Sequence, residues 1–171
     1  ERLLNVAEEQ DIVNNGREWA SRRAVYVVAL FTGLRKTELR SLLWGDIDLE
    51  LKTLKVREEI SKSRREDDLP LHEEVVGILS LLDQVQPNEN VFVSIPTIKT
   101  FKRDCERAGI CLVDSKGRTI DFHSLRTTFC TRMIRAGVPA SHVQRLMRHA
   151  DIKTTNSHYT DLRLHDLSSA V

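Results

Sequence analysis

The chain has little that would mark a secreted, membrane-spanning or metal-binding protein. Its three cysteines, Cys105, Cys111 and Cys130, are an odd number and lack the paired spacing of a zinc site. Such cysteine usage is typical of a reducing compartment. No apolar run approaches the roughly 18 residues that cross a bilayer, and no leader of basic and then apolar residues opens the chain. We therefore expect a cytoplasmic protein without a membrane partner.

Turn-forming and aromatic residues are also scarce. The 171 residues include four prolines and seven glycines, and 5% are aromatic. No repeat or low-complexity segment is visible. With 40% hydrophobic and 30% charged residues, the composition is typical of a globular protein, and we predict a single domain over residues 1–171. Because the chain opens at Glu1 and not at a methionine, we expect it to be a fragment of a longer protein.

Hydrophobic spacing predicts a mainly α-helical chain with one small antiparallel sheet, an α+β class. Apolar residues recur every three or four positions in most segments and alternate in three short ones. We predict Asp121 as the N-cap of the best-defined helix and residues 61–66 as a hairpin tip. The predicted helices are 3–13, 19–31, 35–43, 73–82, 97–108, 122–135, 139–147 and 152–158, the predicted strands are 46–49, 53–57 and 68–71, and a tail begins at 161.

Positive charge is concentrated in one part of the chain, although the net charge is only +1. Residues 97–149 hold 11 Lys or Arg against 4 Asp or Glu, whereas residues 1–96 hold 13 against 18. A one-sided basic surface attracts phosphates because each neutralised phosphate releases counterions. A solvated helix face rich in arginine gives the same asymmetry, so charge alone does not decide between these interpretations.

Two pairs of polar residues have the spacing of an anion site. His123 and Arg126 lie three apart in the first turns of a predicted helix, where free N–H groups favour anions. Together they offer a hydrogen bond and a guanidinium fork to a phosphate. Arg35 follows a glycine-ended helix, and Glu38, three residues later, can hold it by an ion pair. Each pair, taken alone, is more simply explained as an ordinary surface pair.

Three further residues complete a set. Lys62 lies in the predicted hairpin loop and can give up a proton, as an arginine cannot. His149 ends one predicted helix, and Tyr159 follows ten residues later. A phenol attacks only where cations stabilise its phenolate, and a basic hairpin tip or a packing tyrosine is the simpler alternative. Together, two Arg, two His, one Lys and one Tyr are the groups that a metal-free phosphoryl transfer needs, and no Asp/Glu cluster resembles a two-metal nuclease site.

These residues occur in four short sequence motifs, which follow one another in the same order as the motifs of a known family. The chain resembles the catalytic domain of the tyrosine recombinases, the phage-integrase family, over nearly its whole length. Members often carry Leu-Gly-His where this chain has Met147-Arg148-His149, so a bulky cation replaces a glycine. The segments 32–39 and 43–48 resemble the first-arginine motif, Lys62 has the spacing of the hairpin lysine, 123–126 resembles the His-x-x-Arg box, and 149–160 resembles the box with the nucleophile.

The resemblance implies a site-specific recombinase or integrase that cuts and rejoins DNA through a 3′-phosphotyrosine, without metal, ATP or other cofactor. Tyr159 is then the nucleophile, and Lys62 protonates the departing 5′ oxygen. The remaining implied roles are phosphate binding by Arg35 and Arg126, proton acceptance or phosphate bonding by His123, a further hydrogen bond from His149, and orientation of Arg35 by Glu38. Apart from the resemblance, we expect additional DNA-phosphate contacts from Arg64 and Arg148.

The resemblance also implies partners and a larger protein. We expect double-stranded DNA, a homotetramer on that DNA, and an N-terminal core-binding domain that is absent from this chain. The tail with Leu162, Leu164 and Leu167 either docks in trans on a neighbouring protomer or folds back in cis. The source would be a bacterial nucleoid-associated protein or a phage or mobile element. A type IB topoisomerase and a non-catalytic DNA-binding regulator remain alternative interpretations.

Overall fold

The structure, a computed structural model, describes residues 1–13, 22–61, 64–83, 86–114 and 117–169, with the backbone alone for 12–13 and 161–169. It is mainly helical with one three-stranded sheet, so the predicted class is confirmed. The elements are α1 (Arg2–Val13), α2 (Arg22–Thr32), α3 (Lys36–Arg40), a 3₁₀ turn (Trp44–Asp46), β1 (Ile47–Asp48), β2 (Thr53–Val56), β3 (Asp67–Pro70), α4 (Glu73–Ser80), α5 (Ile98–Arg107), α6 (His123–Arg135), α7 (Ala140–Met147) and α8 (Ile152–Ser169).

Helix α2 is the centre of the domain. Its residues 24–29 are apolar on every face and all buried, which is the pattern of a helix surrounded by other elements. It packs against α1, α4 and α6. Because α2 is enclosed in this way, its C-terminal end is a fixed platform for the loop that leads into α3.

A buried polar link joins α2 to α5. The Tyr26 hydroxyl donates to Asp104 Oδ2 at 2.8 Å, and Arg22 Nη1 contacts Asp104 Oδ1 at 3.1 Å. Asp104 and Tyr26 are both fully buried, and the ring of Tyr26 packs edge-on against Phe101 and tilted against Phe122. Burial and the carboxylate raise the pKa of Tyr26, so this tyrosine is a structural residue.

The sheet is antiparallel in the order β1–β2–β3. Leu54 pairs with Leu69, and both side chains are buried on the core face. Arg57, directly after β2, fixes the sheet beside α3. Its Nε lies 2.9 Å from Asp46 Oδ1, and its Nη2 donates to the Ser41 carbonyl at 2.7 Å.

The structure differs from the sequence prediction at several helix ends. The helix predicted over 35–43 is only Lys36–Arg40, and the predicted segment 152–158 continues through the tail as the single helix α8. Asp121 is not the N-cap of α6, because Phe122 holds that position and buries its ring between other core aromatics. Packing of Phe122 therefore fixes the start of α6 in place of a side-chain cap.

Gly33 makes the turn between α2 and α3 possible. Its φ angle is +63°, in the left-handed region, and a Cβ at this position would lie 2.4 Å from Phe129 Cδ1 on α6. Left-handed backbone is cheap only for glycine, and the close approach of α6 leaves no room for a side chain. Gly33 thus brings the α2–α3 loop into direct contact with α6.

We expect Gly33→Ala to lower the free energy of unfolding by about 2–4 kcal/mol, through the left-handed conformation and the clash with Phe129. Gly137→Ala is the matched control, because Gly137 has a φ of +76° and no atom within 4 Å of an added Cβ. It should lose only about 1 kcal/mol. Denaturant unfolding of both variants measures the difference, and equal losses would contradict the packing argument.

Candidate active site

Arg35 and Glu38 form a closed pair at the start of α3. The Arg35 backbone N–H donates to Glu38 Oε2 at 2.7 Å, and Arg35 Nη1 donates to Glu38 Oε1 at 2.8 Å. Glu38 is fully buried, whereas the Arg35 side chain is 21% exposed. The ion pair predicted from the spacing is therefore present, and it leaves one edge of the guanidinium accessible.

Arg126 connects the α2–α3 loop to the end of α7. From α6, its Nη1 donates to the Gly33 carbonyl and its Nη2 donates to the Met147 carbonyl. The residue is 3% exposed. Burial, and after it the charges of Arg35 and Arg148, lower the pKa of Arg126 to about 9. Arg126 therefore stands beside two other cations in a poorly solvated position.

Arg148 is buried at the C-terminal end of α7. It follows α7 with a left-handed backbone (φ 52°), and its side chain is 1% exposed. Its Nη2 donates to Glu38 Oε2 at 2.6 Å, and its Nη1 donates to the Leu146 carbonyl at 3.3 Å. That Arg148 binds a DNA phosphate stays a prediction; in this structure its terminal nitrogens donate to Glu38 and to the Leu146 carbonyl.

The four charged residues form a cluster with a surplus of positive charge. Burial opposes ionisation of Glu38, but Arg148 and Arg35 outweigh it and hold the pKa of that carboxyl below its usual range. Three guanidinium groups thus surround one carboxylate. Since like charges in a poorly solvated space repel one another strongly, an anion that enters the cluster would be stabilised.

Two histidines lie within the electrostatic reach of this cluster. The side chain of His123 is exposed, and partial desolvation of its ring and the charge of Arg126 lower its pKa below 6.5. His149 Nδ1 lies 2.9 Å from Thr155 Oγ1. Burial lowers the pKa of His149 to about 4, and Arg126 and His158 contribute to the shift. Both imidazoles are therefore neutral near neutral pH.

Tyr159 has different neighbours. Its hydroxyl donates to the Val138 carbonyl in the loop between α6 and α7. Its half-buried ring packs on a small apolar cluster around Cys130, Val143 and Met147, separate from the main core. Partial desolvation raises the pKa of Tyr159, and Cys130 adds to the shift. In this conformation the phenol is a hydrogen-bond donor to the backbone and not a phenolate.

Two clefts open at the cluster. The first, of about 340 Å³, runs between α3 and α6. The second, of about 270 Å³, lies between β3 and α7. The first is lined by Leu34, Arg35, Lys36, Ile98, Asp121, Phe122, His123 and Arg126, and the second by Arg65, Asp67, Ser141, Gln144, Arg145, Arg148, His149 and Ala150.

Not every predicted site residue can be placed. Lys62 lies outside the described residues, and so do the side chains of Leu162, Leu164 and Leu167. Arg64 is described and exposed, with a left-handed φ of 49°. Across the described ranges, no group of three or more His, Cys, Asp or Glu could hold a metal ion, and no helix there is long and apolar enough to span a membrane.

The sequence did not indicate three of the groups that build the cluster. The carbonyls of Gly33 and Met147 accept hydrogen bonds from Arg126. The sequence does not show which backbone carbonyls act as acceptors in this way. Thr155 is fully buried against His149. The doubled Thr154-Thr155 directly after the last predicted turn is the one signal that could have identified it.

The low pKa of His149 predicts acid sensitivity. An ordinary histidine titrates near 6.5, whereas His149 in the folded protein titrates at about 4. The unfolded chain therefore binds a proton that the folded protein does not, and stability falls as the pH falls through this window.

We expect His149→Asn to reduce the loss of unfolding free energy between about pH 7 and pH 5. Urea denaturation at the two pH values measures it. His142→Asn, at an exposed position on α7, controls for removal of an imidazole. If His149→Asn keeps the full pH dependence of the parent protein, the assigned electrostatics of His149 are wrong.

Comparisons with known proteins agree with the fold. The XerA tyrosine recombinase of Saccharolobus solfataricus is 34% identical over 166 residues, which cover 97% of this chain and 54% of that protein. A crystal structure of a XerA recombinase matches with a TM-score of 0.71 at 23% identity, over 99% of this chain and 61% of that one. A XerH site-specific recombinase bound to its difH substrate in a pre-cleavage complex matches with a TM-score of 0.69 at 22% identity, over 98% and 50% of the two chains.

The family assignment rests on a match over almost the whole sequence. The chain spans about half the length of the curated relatives it matches. The model of the phage integrase family matches residues 1–165, a range that includes every residue of the charge cluster and Tyr159. The chain therefore belongs to the phage integrase family.

Proposed function

We propose that this chain is the catalytic domain of a site-specific DNA recombinase that breaks and rejoins a phosphodiester through a covalent bond to Tyr159. The observation that carries the proposal is the surplus of positive charge at the first cleft, where Arg35 and Arg126 face an opening beside His123. A phosphodiester carries one negative charge, which would offset part of this surplus. Its DNA strands would run along the cleft.

The guanidinium groups would bind the two non-bridging oxygens. Arg35 keeps an accessible edge, and Arg126 is held in a fixed direction by two carbonyls. Donors fixed before the reaction stabilise charge that develops on phosphate oxygens more than mobile donors do. These groups supply the positive charge that the pentacovalent transition state needs.

The neutral imidazoles have distinct roles. With a pKa below 6.5, His123 is free to accept the phenolic proton as Tyr159 attacks. His149, whose Nδ1 is engaged with Thr155, would offer its other ring nitrogen to the phosphate. A pair of neutral histidines is therefore ready to act as base and hydrogen-bond donor at neutral pH.

The reaction exchanges one phosphodiester for another. The Tyr159 oxygen forms a bond to phosphorus, the bond from phosphorus to the 5′ oxygen breaks, and Lys62 gives that oxygen its proton. The products are a 3′-phosphotyrosine and a free 5′-hydroxyl. Because the energy of the phosphodiester is kept in the adduct, attack by a 5′-hydroxyl of a partner duplex reverses the step without ATP.

Attack requires Tyr159 to leave its resting position. The phenol must break its hydrogen bond to the Val138 carbonyl and lift from the small apolar cluster. The ring is half-buried and lies outside the main core, so this movement does not disturb α2. We propose that DNA binding and assembly of a tetramer, with the tail of α8 docked in cis or in trans, provide the driving force.

The proposed DNA partner suits a protein with a second DNA-binding domain. Relatives of about twice this length include one solved with its DNA substrate, and the basic segment 97–149 supplies a phosphate-binding face. We propose that an N-terminal domain completes a clamp around the duplex. The exposed Arg64 and Arg145 would contact the DNA backbone outside the reacting phosphate.

We expect Tyr159→Phe in the full-length protein to abolish the covalent adduct on a nicked suicide substrate, because the attacking oxygen is gone. DNA affinity should stay within about threefold, since the phenol forms its phosphate bond only during reaction. Gel analysis of the adduct and a binding titration measure the two effects. Tyr26→Phe, at the other tyrosine, is the matched control and should still form the adduct below its melting temperature.

An undiminished adduct in Tyr159→Phe would disprove the assignment of the nucleophile. Complete absence of an adduct in the parent protein would favour a non-catalytic DNA-binding regulator. A two-site substrate separates the remaining alternative, because a recombinase yields exchanged products, whereas a type IB topoisomerase only relaxes supercoils.

We expect Arg126→Lys to lower the single-turnover cleavage rate by at least about 100-fold, because one ammonium cannot replace the donors of a fixed guanidinium fork. Arg135→Lys, at an exposed position on the same helix, should cleave at the parental rate. A parental rate in Arg126→Lys would contradict the phosphate-binding role of Arg126.

A further inference from the structure

Arg148 stands at a backbone position that suits glycine. It caps the C-terminal end of α7 with φ 52° and ψ 43°, a left-handed conformation that is strained for a residue with a Cβ. A glycine at position 148 would adopt the same backbone conformation without this strain. The arginine side chain must therefore do something that offsets the cost of its backbone.

Burial of the Arg148 side chain adds a second cost. The side chain is 1% exposed, and its Nε is buried without a hydrogen-bond partner in the part of the chain that the structure describes. A buried guanidinium with an unsatisfied nitrogen contributes little to the free energy of folding, because the cost of desolvating its charge offsets the gain from the ion pair. Stability alone does not explain the residue.

The contacts of Arg148 lie between two parts of the candidate site. Its Nη2 binds Glu38 Oε2 at 2.6 Å, while Glu38 Oε1 binds Arg35 Nη1 at 2.8 Å. Arg148 thereby fixes the carboxylate plane that aims Arg35. In sequence it stands between Met147, whose carbonyl holds Arg126, and His149. One ion pair thus joins the groups from α3, α6 and the end of α7.

We propose that Arg148 is a positioning residue, which acts through Glu38 to hold Arg35, Arg126 and His149 in one arrangement around the reacting phosphate. The proposal rests on the proposed function of this site. It differs from a direct phosphate contact, because Arg148 touches the protein and not the substrate. Since a misplacement of about 1 Å in a reacting group costs up to about 100-fold in rate, a small shift of Arg35 is enough to slow cleavage.

The test compares cleavage with binding in the full-length protein. Arg148→Gly removes the guanidinium and the backbone strain together, so folding is expected to survive. We expect its single-turnover cleavage of a nicked suicide substrate to fall by about 10- to 100-fold, with DNA affinity within about threefold of the parent. Arg148→Lys keeps a charge beside Glu38 and should recover part of the lost rate. Arg135→Gln, an exposed cation on α6, should match the parent in both measurements.

A double substitution separates positioning from a general structural effect. If Arg148 acts through Glu38, then Glu38→Gln combined with Arg148→Gly should cleave no more slowly than Glu38→Gln alone. The pH dependence of stability provides an independent readout. Without the nearby charge of Arg148, which helps to depress the pKa of His149, the loss of unfolding free energy between about pH 7 and pH 5 should be smaller in Arg148→Gly than in the parent, and Arg148→Lys should lie between them.

Several results would overturn the proposal. A parental cleavage rate in Arg148→Gly would show that the residue positions nothing. A loss of DNA affinity equal to the loss of rate would show that Arg148 contacts the phosphate directly. Multiplicative losses in the double variant would show that it acts independently of Glu38. If the parent protein forms no adduct, the proposed function itself fails, and that outcome is visible before any variant is compared.

Discussion

The buried carboxylate of Glu38 is the interaction on which the site depends. It receives Arg35 from its own helix and Arg148 from the end of α7, and without it three guanidinium groups would face one another in a poorly solvated space. Charges of one sign do not gather in that way without a counterion. Glu38 supplies enough negative charge to assemble the cluster and too little to neutralise it.

The fold supports this arrangement by bringing backbone carbonyls to the same place. The left-handed turn at Gly33 exposes a carbonyl to Arg126, and the C-terminal end of α7 offers the carbonyl of Met147. Helix ends leave unsatisfied acceptors, and here a buried arginine uses one of them. The conformation of two loops, each fixed by packing around α2 and α6, therefore sets the direction of Arg126.

Tyr159 is kept apart from the cluster in the resting structure. Its hydroxyl is bonded to the Val138 carbonyl, and its raised pKa keeps it protonated. A protonated phenol is a poor nucleophile. Under the proposed function, cleavage is possible only after α8 or the tyrosine side chain moves, which links the chemistry to assembly on DNA.

The sequence could predict those parts of the site that local spacing determines. The three-residue interval from Arg35 to Glu38 predicted their ion pair, and alternation and helical spacing predicted most elements. The direction of Arg148 could not be predicted, since it depends on a left-handed residue whose side chain reaches a carboxylate 110 positions away. The N-cap at Asp121 was wrong because core packing of Phe122 overrides a capping preference that is weak by comparison.

The most direct measurement is the chemical identity of the protein–DNA linkage. A trapped adduct of the full-length protein, digested with nuclease and then with trypsin, should yield the peptide of residues 154–163, which ends at Arg163 and contains Tyr159. Mass spectrometry should find a nucleotide joined through its 3′-phosphate to Tyr159. A nucleotide on another residue, or one joined through its 5′-phosphate, would contradict the account.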